Sequence, residues 1–214
     1  MYVRELVDEC GSNWRQQHEA DFMLPTLLSF LFQTVDALYC AVKNFPDTWT
    51  KAEPVKIVSG GTQSMYIRFN AGPDALFMQK SAISLTGDIW CILKRLNKEK
   101  LFDLEQPVSA LIDLLDEFRD LRNFYAHLDE RLSDLKNNGF TGSCETGCGI
   151  RYENAKECFH MILVGNTFYY TSQGKCLKKD IGKRSFRNVL HLSLDILRVL
   201  SKDKGIPIEQ IYKV

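Results

Sequence analysis

The stretch Asp116-Glu117-Phe118-Arg119-Asp120-Leu121-Arg122-Asn123-Phe124-Tyr125-Ala126-His127-Leu128-Asp129-Glu130-Arg131-Leu132 governs the reading of this 214-residue chain. On an ideal helix of about 100° per residue, Leu111, Leu114, Phe118, Leu121, Tyr125, Leu128 and Leu132 fall on one stripe. The spacing predicts a continuous helix over 107–137, opened by Pro107, with that stripe as its core face. His127 falls roughly opposite the stripe, and Asp116 and Asn123 share its face. Arg122 lies about 140° around the helix from His127. Arginine stays cationic and holds a phosphate through paired hydrogen bonds. Histidine exchanges protons near neutral pH. Together they are the groups a phosphodiester-cleaving site needs. A second reading pairs Arg122 with Asp129 on the same flank, as an exposed ion pair of small energetic value.

Three further helices frame this one. Leu27, Leu28, Leu31, Phe32, Val35, Leu38, Tyr39 and Val42 recur at helical spacing from Pro25 onward, and Phe45-Pro46-Asp47 ends the pattern. A second helix is expected over 74–97, weakened locally by Gly87. The last is expected over 185–203, apolar nearly all round, and a short helix is read at 3–10. Two β-hairpins interrupt the helices. Within the connection 46–73, Val55–Val58 and Met65–Phe69 flank a Ser59-Gly60-Gly61-Thr62 turn. Residues 138–149 read as a loop. After it, Cys158–Val164 and Thr167–Tyr170 flank Gly165-Asn166, a two-residue connection typical of a hairpin. The expected fold is therefore mainly α: one domain over 1–214, a bundle of about four long helices with hairpins inserted near 55–70 and 150–178.

Composition narrows the function classes. Lys+Arg and Asp+Glu number 27 each, so the zero net charge argues against salt-driven coating of nucleic acid along the whole surface and leaves room for a local basic groove. Residues Phe22 to Phe32 are too few to span a bilayer, and the first residues show no apolar leader pattern, so no membrane partner is expected. Seven scattered cysteines fit a reducing cytoplasm better than a disulfide framework.

The segment Leu121-Arg122-Asn123-Phe124-Tyr125-Ala126-His127 resembles the signature of the HEPN superfamily, an Arg followed after four to six residues by a His, often with a polar residue directly after the Arg. Here four residues intervene and Asn123 takes the polar position. The resemblance implies a helical bundle and a metal-independent, cofactor-free endoribonuclease in which two copies of the motif face each other across a homodimer. His127 would then act as general base or acid at the attacking 2′-hydroxyl. Arg122 would hold the scissile phosphate, and Asn123 would position the phosphate or His127. A toxin or defence effector, with an antitoxin or regulatory protein as partner, is one such protein. A non-catalytic module that binds nucleotide, RNA or protein is the alternative. Members paired with a nucleotidyltransferase antitoxin often carry Tyr two residues after the His, where this chain has Asp129. The dimer interface is expected along 107–137, with the C-terminal helix as second contributor.

Other candidates are weaker. Lys175, Lys178, Lys179, Lys183, Arg184 and Arg187 form the densest basic region, with Tyr169, Tyr170 and Phe186 nearby as stacking groups for a single strand. Lys178, Lys179, Lys183, Arg184 and Arg187 are the candidate RNA contacts, against the alternative of a solvated face. Cys144 and Cys148, with Cys158, His160 and Cys176 downstream, are too loosely spaced for a zinc site to be expected. Cys10, Cys40 and Cys91 read as small core residues. Ser59–Ser64 matches no phosphate-binding loop.

Overall fold

The computed structural model describes residues 23–59, 62–71, 74–100, 104–127, 130, 133, 143–145, 151–153, 161–172 and 175–200. The predicted helix at 3–10 lies outside them. The described chain is mainly helical with small antiparallel sheets. In order, its elements are α1 (Met23–Lys43), β1 (Thr50–Ser59), β2 (Thr62–Ala71), α2 (Ala75–Lys98), α3 (Glu105–Asp116), α4 (Arg119–Ala126), β3 (Ser143–Glu145), β4 (Arg151–Glu153), β5 (Met161–Val164), β6 (Thr167–Ser172), β7 (Lys175–Asp180) and α5 (Lys183–Leu200). They form two compact units. One gathers the described residues of 1–44, 81–119 and 183–214, the other those of 45–80 and 120–182.

The first unit is a helical core. Leu28, Leu31, Phe32, Val35, Leu38 and Val42 of α1 are buried, as their spacing predicts. So are Ile83, Ile89, Leu93 and Leu96 of α2 and Val108, Leu111, Ile112 and Leu115 of α3. Helix α5 packs on both α1 and α3, burying Phe186, Val189, Leu190, Leu194, Ile196 and Leu197. It is not apolar nearly all round, the pattern expected for it from the sequence. Arg184, Arg187, Asn188, His191 and Arg198 form an exposed line. Cys40 and Cys91 are likewise exposed free thiols rather than core residues.

The helix predicted over 107–137 is not continuous. After α3, Glu117 N–H donates to Leu114 O at 3.3 Å and Phe118 N–H to Leu115 O at 3.0 Å. These are bonds of three-residue span, which tighten the chain before α4 begins. No glycine or proline marks the place. At the break Phe118 is buried and its ring stacks on Phe186 of α5, centroids 5.2 Å apart. The break also removes Asp116 from the polar stripe assigned to His127. Its Oδ1 instead accepts the indole N–H of Trp90 on α2 at 2.7 Å.

The second unit is built on β-hairpins. Strands β1 and β2 pair antiparallel from Thr50 opposite Ala71 to Ser59 opposite Thr62, longer than the predicted 55–70 hairpin. Pro54 is tolerated because a two-stranded ribbon leaves one edge of β1 without a ladder. The Gly165-Asn166 hairpin joins β5 to β6 as predicted, and β7 extends it to a sheet of order β5-β6-β7. A further pair, β3 with β4, starts inside the predicted loop 138–149. Gly165 alone of the two turn residues takes a positive φ, 58°, the pattern of a II′ turn.

The turn is tied to the segment before β1. Asn166 Oδ1 accepts Trp49 N–H at 3.2 Å and its Nδ2 donates to Asp47 O at 2.9 Å. The Trp49 indole N–H donates to Ile181 O at 2.9 Å, and Gly165 N–H donates to Thr50 Oγ1 at 2.9 Å. A Cβ at Gly182 would lie 2.9 Å from Asn166 Nδ2, so glycine is needed to let the amide in. Asn166→Ala is expected to cost about 1–3 kcal/mol, because it leaves the buried Trp49 N–H without an acceptor. Urea unfolding measures this, and an unchanged midpoint would show that the amide bonds contribute nothing.

Candidate functional site

The Arg–His motif sits on α4, and its two central residues anchor it. Phe124 is 1% exposed and meets Tyr170 at 5.3 Å and Phe168 at 6.1 Å between ring centroids. Tyr125 lies 5.6 Å from Phe168. Phe168 and Tyr170 are two residues apart on β6 and so share one face of the sheet, the face α4 covers. Leu121 is buried as well. Of the stripe expected to form the core, Leu111, Phe118 and Leu121 are buried, while Leu114 and Tyr125 are half-buried. Leu128 and Leu132 lie outside the described residues.

These anchors set the three site residues. Arg122 and Asn123 are half-buried and His127 is exposed. His127 N–H donates to Asn123 O at 3.1 Å, one further helical bond at the end of α4. The imidazole is turned outward, with its side chain 53% exposed, and Nδ1 lies 3.4 Å from Glu130 Oε2. A carboxylate beside one ring nitrogen orients the ring and leaves the other nitrogen for chemistry. Glu130 has no role assigned from the sequence; its i,i+3 spacing from His127 was the available signal. Because His127 continues the last turn of α4 through that bond, the separation of about 140° between Arg122 and His127 still applies. Asp129 lies outside the described residues.

Charge and burial act on the tyrosines beneath. Burial raises the Tyr125 phenol above the ordinary tyrosine range. Burial, and after it the Asp120 carboxylate, raises that of Tyr170. The Tyr125 hydroxyl is buried and finds no hydrogen-bond partner among the described residues.

The basic region divides. Lys178 is exposed and Lys179 half-buried on β7, in one unit. Lys183 is half-buried and Arg184 and Arg187 are exposed on α5, in the other. The aromatic groups expected to interleave with them are buried: Tyr169 at 6%, Tyr170 at 3% and Phe186 at 0% exposure. They are core residues, and no base can stack on them. Among the described residues no three His, Cys, Asp or Glu side chains gather as a metal site. Cys148, Cys158 and His160 lie outside those residues. Cys176 is disulfide-bonded, contrary to the reading of scattered reduced thiols. No described helix is long and apolar enough to cross a membrane. No family model, curated protein or solved structure matches the chain.

Tyr125→Phe keeps the ring contacts and removes the unpartnered hydroxyl, so it is expected to stabilise the protein by about 1 kcal/mol at neutral pH. A folded-state pKa above the unfolded value of about 10 gives stability that is complete below that pH and is lost as pH rises above it. The substitution should therefore also reduce the alkaline loss. Urea unfolding at pH 7 and at pH 10.5 checks both, and destabilisation at pH 7 would refute the account of this hydroxyl.

Proposed function

We propose that this chain is a metal-independent endoribonuclease of the HEPN type, working as a homodimer whose two motifs form one composite site. The reading rests on the motif resemblance. The observation that supports it best is the placement of His127: outward at the end of an anchored helix, Nδ1 beside Glu130. An imidazole so exposed contributes little to the core and is free to meet a substrate or a second copy.

The chemistry follows from the residue types. One His127 takes the proton of a 2′-hydroxyl, whose oxygen attacks the adjacent phosphorus. The 2′-oxygen–phosphorus bond forms and the bond to the 5′-oxygen breaks. The leaving oxygen takes its proton from the second copy's His127, and the product carries a 2′,3′-cyclic phosphate. Arg122 stabilises the charge that builds on the phosphate oxygens. Asn123 positions the phosphate or the imidazole. One copy alone is poorly arranged for this, since its Arg and His diverge around the helix and catalytic groups must converge on one phosphate. A two-fold axis beside α4 supplies the missing pair. A toxin or defence role, restrained by an antitoxin or regulatory protein, is the setting we propose. A non-catalytic module that binds RNA, nucleotide or protein is the second reading, and the test below separates the two.

The protein is expected to cleave single-stranded RNA in EDTA and to leave 2′,3′-cyclic phosphate ends. His127→Ala and Arg122→Ala should each abolish cleavage, with stability unchanged within about 0.5 kcal/mol for the exposed His127. Mixing the two inactive variants should restore part of the activity if the site is shared between copies. A dimer burying more than about 1,000 Å² should be seen at micromolar concentration. Cleavage that survives His127→Ala, or a strictly monomeric protein, would overturn the reading. Binding without any cleavage would leave the module reading in its place.

A further inference from the structure

Helix α5 carries a second Arg-Asn…His arrangement. Arg187, Asn188 and His191 are all exposed, and Arg187 and His191 stand one turn apart on the same face. Arg184 precedes them by one turn on that face and is exposed too. The four residues run over about 10 Å at the helical rise of about 1.5 Å per residue. We propose that this face of α5 binds the phosphate backbone of single-stranded RNA.

Charge complementarity selects the occupant. From Lys183 to His191 the helix holds three permanent cations and no carboxylate, in a chain whose net charge is zero. The side chains of Arg184, Arg187 and His191 form no hydrogen bond or ion pair with any other described residue. By contrast, the next exposed cation along the helix, Arg198, is paired with Asp195. No ion pair among the described residues offsets this clustering. The first turn of α5 has no acidic residue, and cations near the positive end of a helix dipole oppose it. An anionic strand laid along the face relieves that repulsion and uses both guanidinium groups as forks for phosphate. Asn188 adds a neutral donor and acceptor between them. The buried aromatics leave no platform for stacked bases, so recognition is of the backbone and tolerant of sequence.

The choice of RNA over other polyanions rests on the proposed ribonuclease reading; the cationic face does not. Binding is therefore measured with the His127→Ala protein, which keeps the strand intact whether or not the motif is catalytic. Fluorescence anisotropy with an end-labelled 15-nucleotide single-stranded RNA is followed over a range of salt concentrations. Arg184→Ala/Arg187→Ala is expected to weaken binding at least about tenfold at low salt and to lower the salt slope by about 1.4, or about 0.7 for each phosphate no longer neutralised. Lys98→Ala, which removes an exposed cation on another helix, should leave both unchanged. Failure of cleavage with this binding pattern intact would remove the ribonuclease reading and keep the α5 face. Unchanged affinity and slope in the double variant, an equal loss in Lys98→Ala, or no RNA binding at low salt would overturn the α5 face.

Discussion

Phe124 is closed off from solvent against Phe168 and Tyr170, and this contact determines which side of the eight-residue helix α4 meets the sheet. A helix this short has little stability of its own, because nucleation costs more than a few hydrogen bonds return. Tertiary packing must hold it. Burying one phenylalanine contributes about 1.5–3 kcal/mol, and Leu121 and the Tyr125 ring add to it. With Leu121, Phe124 and the Tyr125 ring together facing inward, Arg122 and His127 fall on opposite flanks, each about 110° from that side, and His127 is exposed. The candidate chemistry thus depends on a residue that takes no part in it.

The sheet that receives Phe124 is itself held by polar contacts at its turn. Asn166 uses both ends of its amide on the segment before β1, while its carbonyl accepts Ile181 N–H at 2.8 Å. Thr50 Oγ1 donates to Leu163 O at 3.2 Å and accepts from Gly165. A turn tied by these bonds is fixed in position, and β6 leaves it carrying Phe168, Tyr169 and Tyr170 in succession. That run is buried on both faces, which suits the central strand of three.

Two Arg–His pairs on different helices invite comparison. On α4 the residues diverge and His127 is held near a carboxylate, an arrangement suited to proton transfer when completed from outside. On α5 they share one exposed line, with no carboxylate between Lys183 and His191, which suits holding a charged strand. The same residue types stand differently in the two places because five-residue and four-residue spacings place them differently around a helix.

The sequence by itself determined the local elements. Periodic leucines and phenylalanines gave α1, α2 and α5, and Gly165-Asn166 gave the hairpin turn, because side-chain period and glycine's access to positive φ are properties of short segments. The outward direction of His127 was legible for the same reason: His127 N–H still bonds Asn123 O and so continues the last turn of the helix that carries Tyr125. The break after Asp116 was not legible. Nothing local marks it, and it sits where Phe118 stacks on Phe186, a residue 68 positions away in the chain. The burial of Tyr169, Tyr170 and Phe186, the exposure of Cys40 and Cys91, and the Trp90–Asp116 bond are of the same kind. Each depends on which surface another element covers. Such long-range contacts are a property of the packed molecule, and only the tertiary structure decided them.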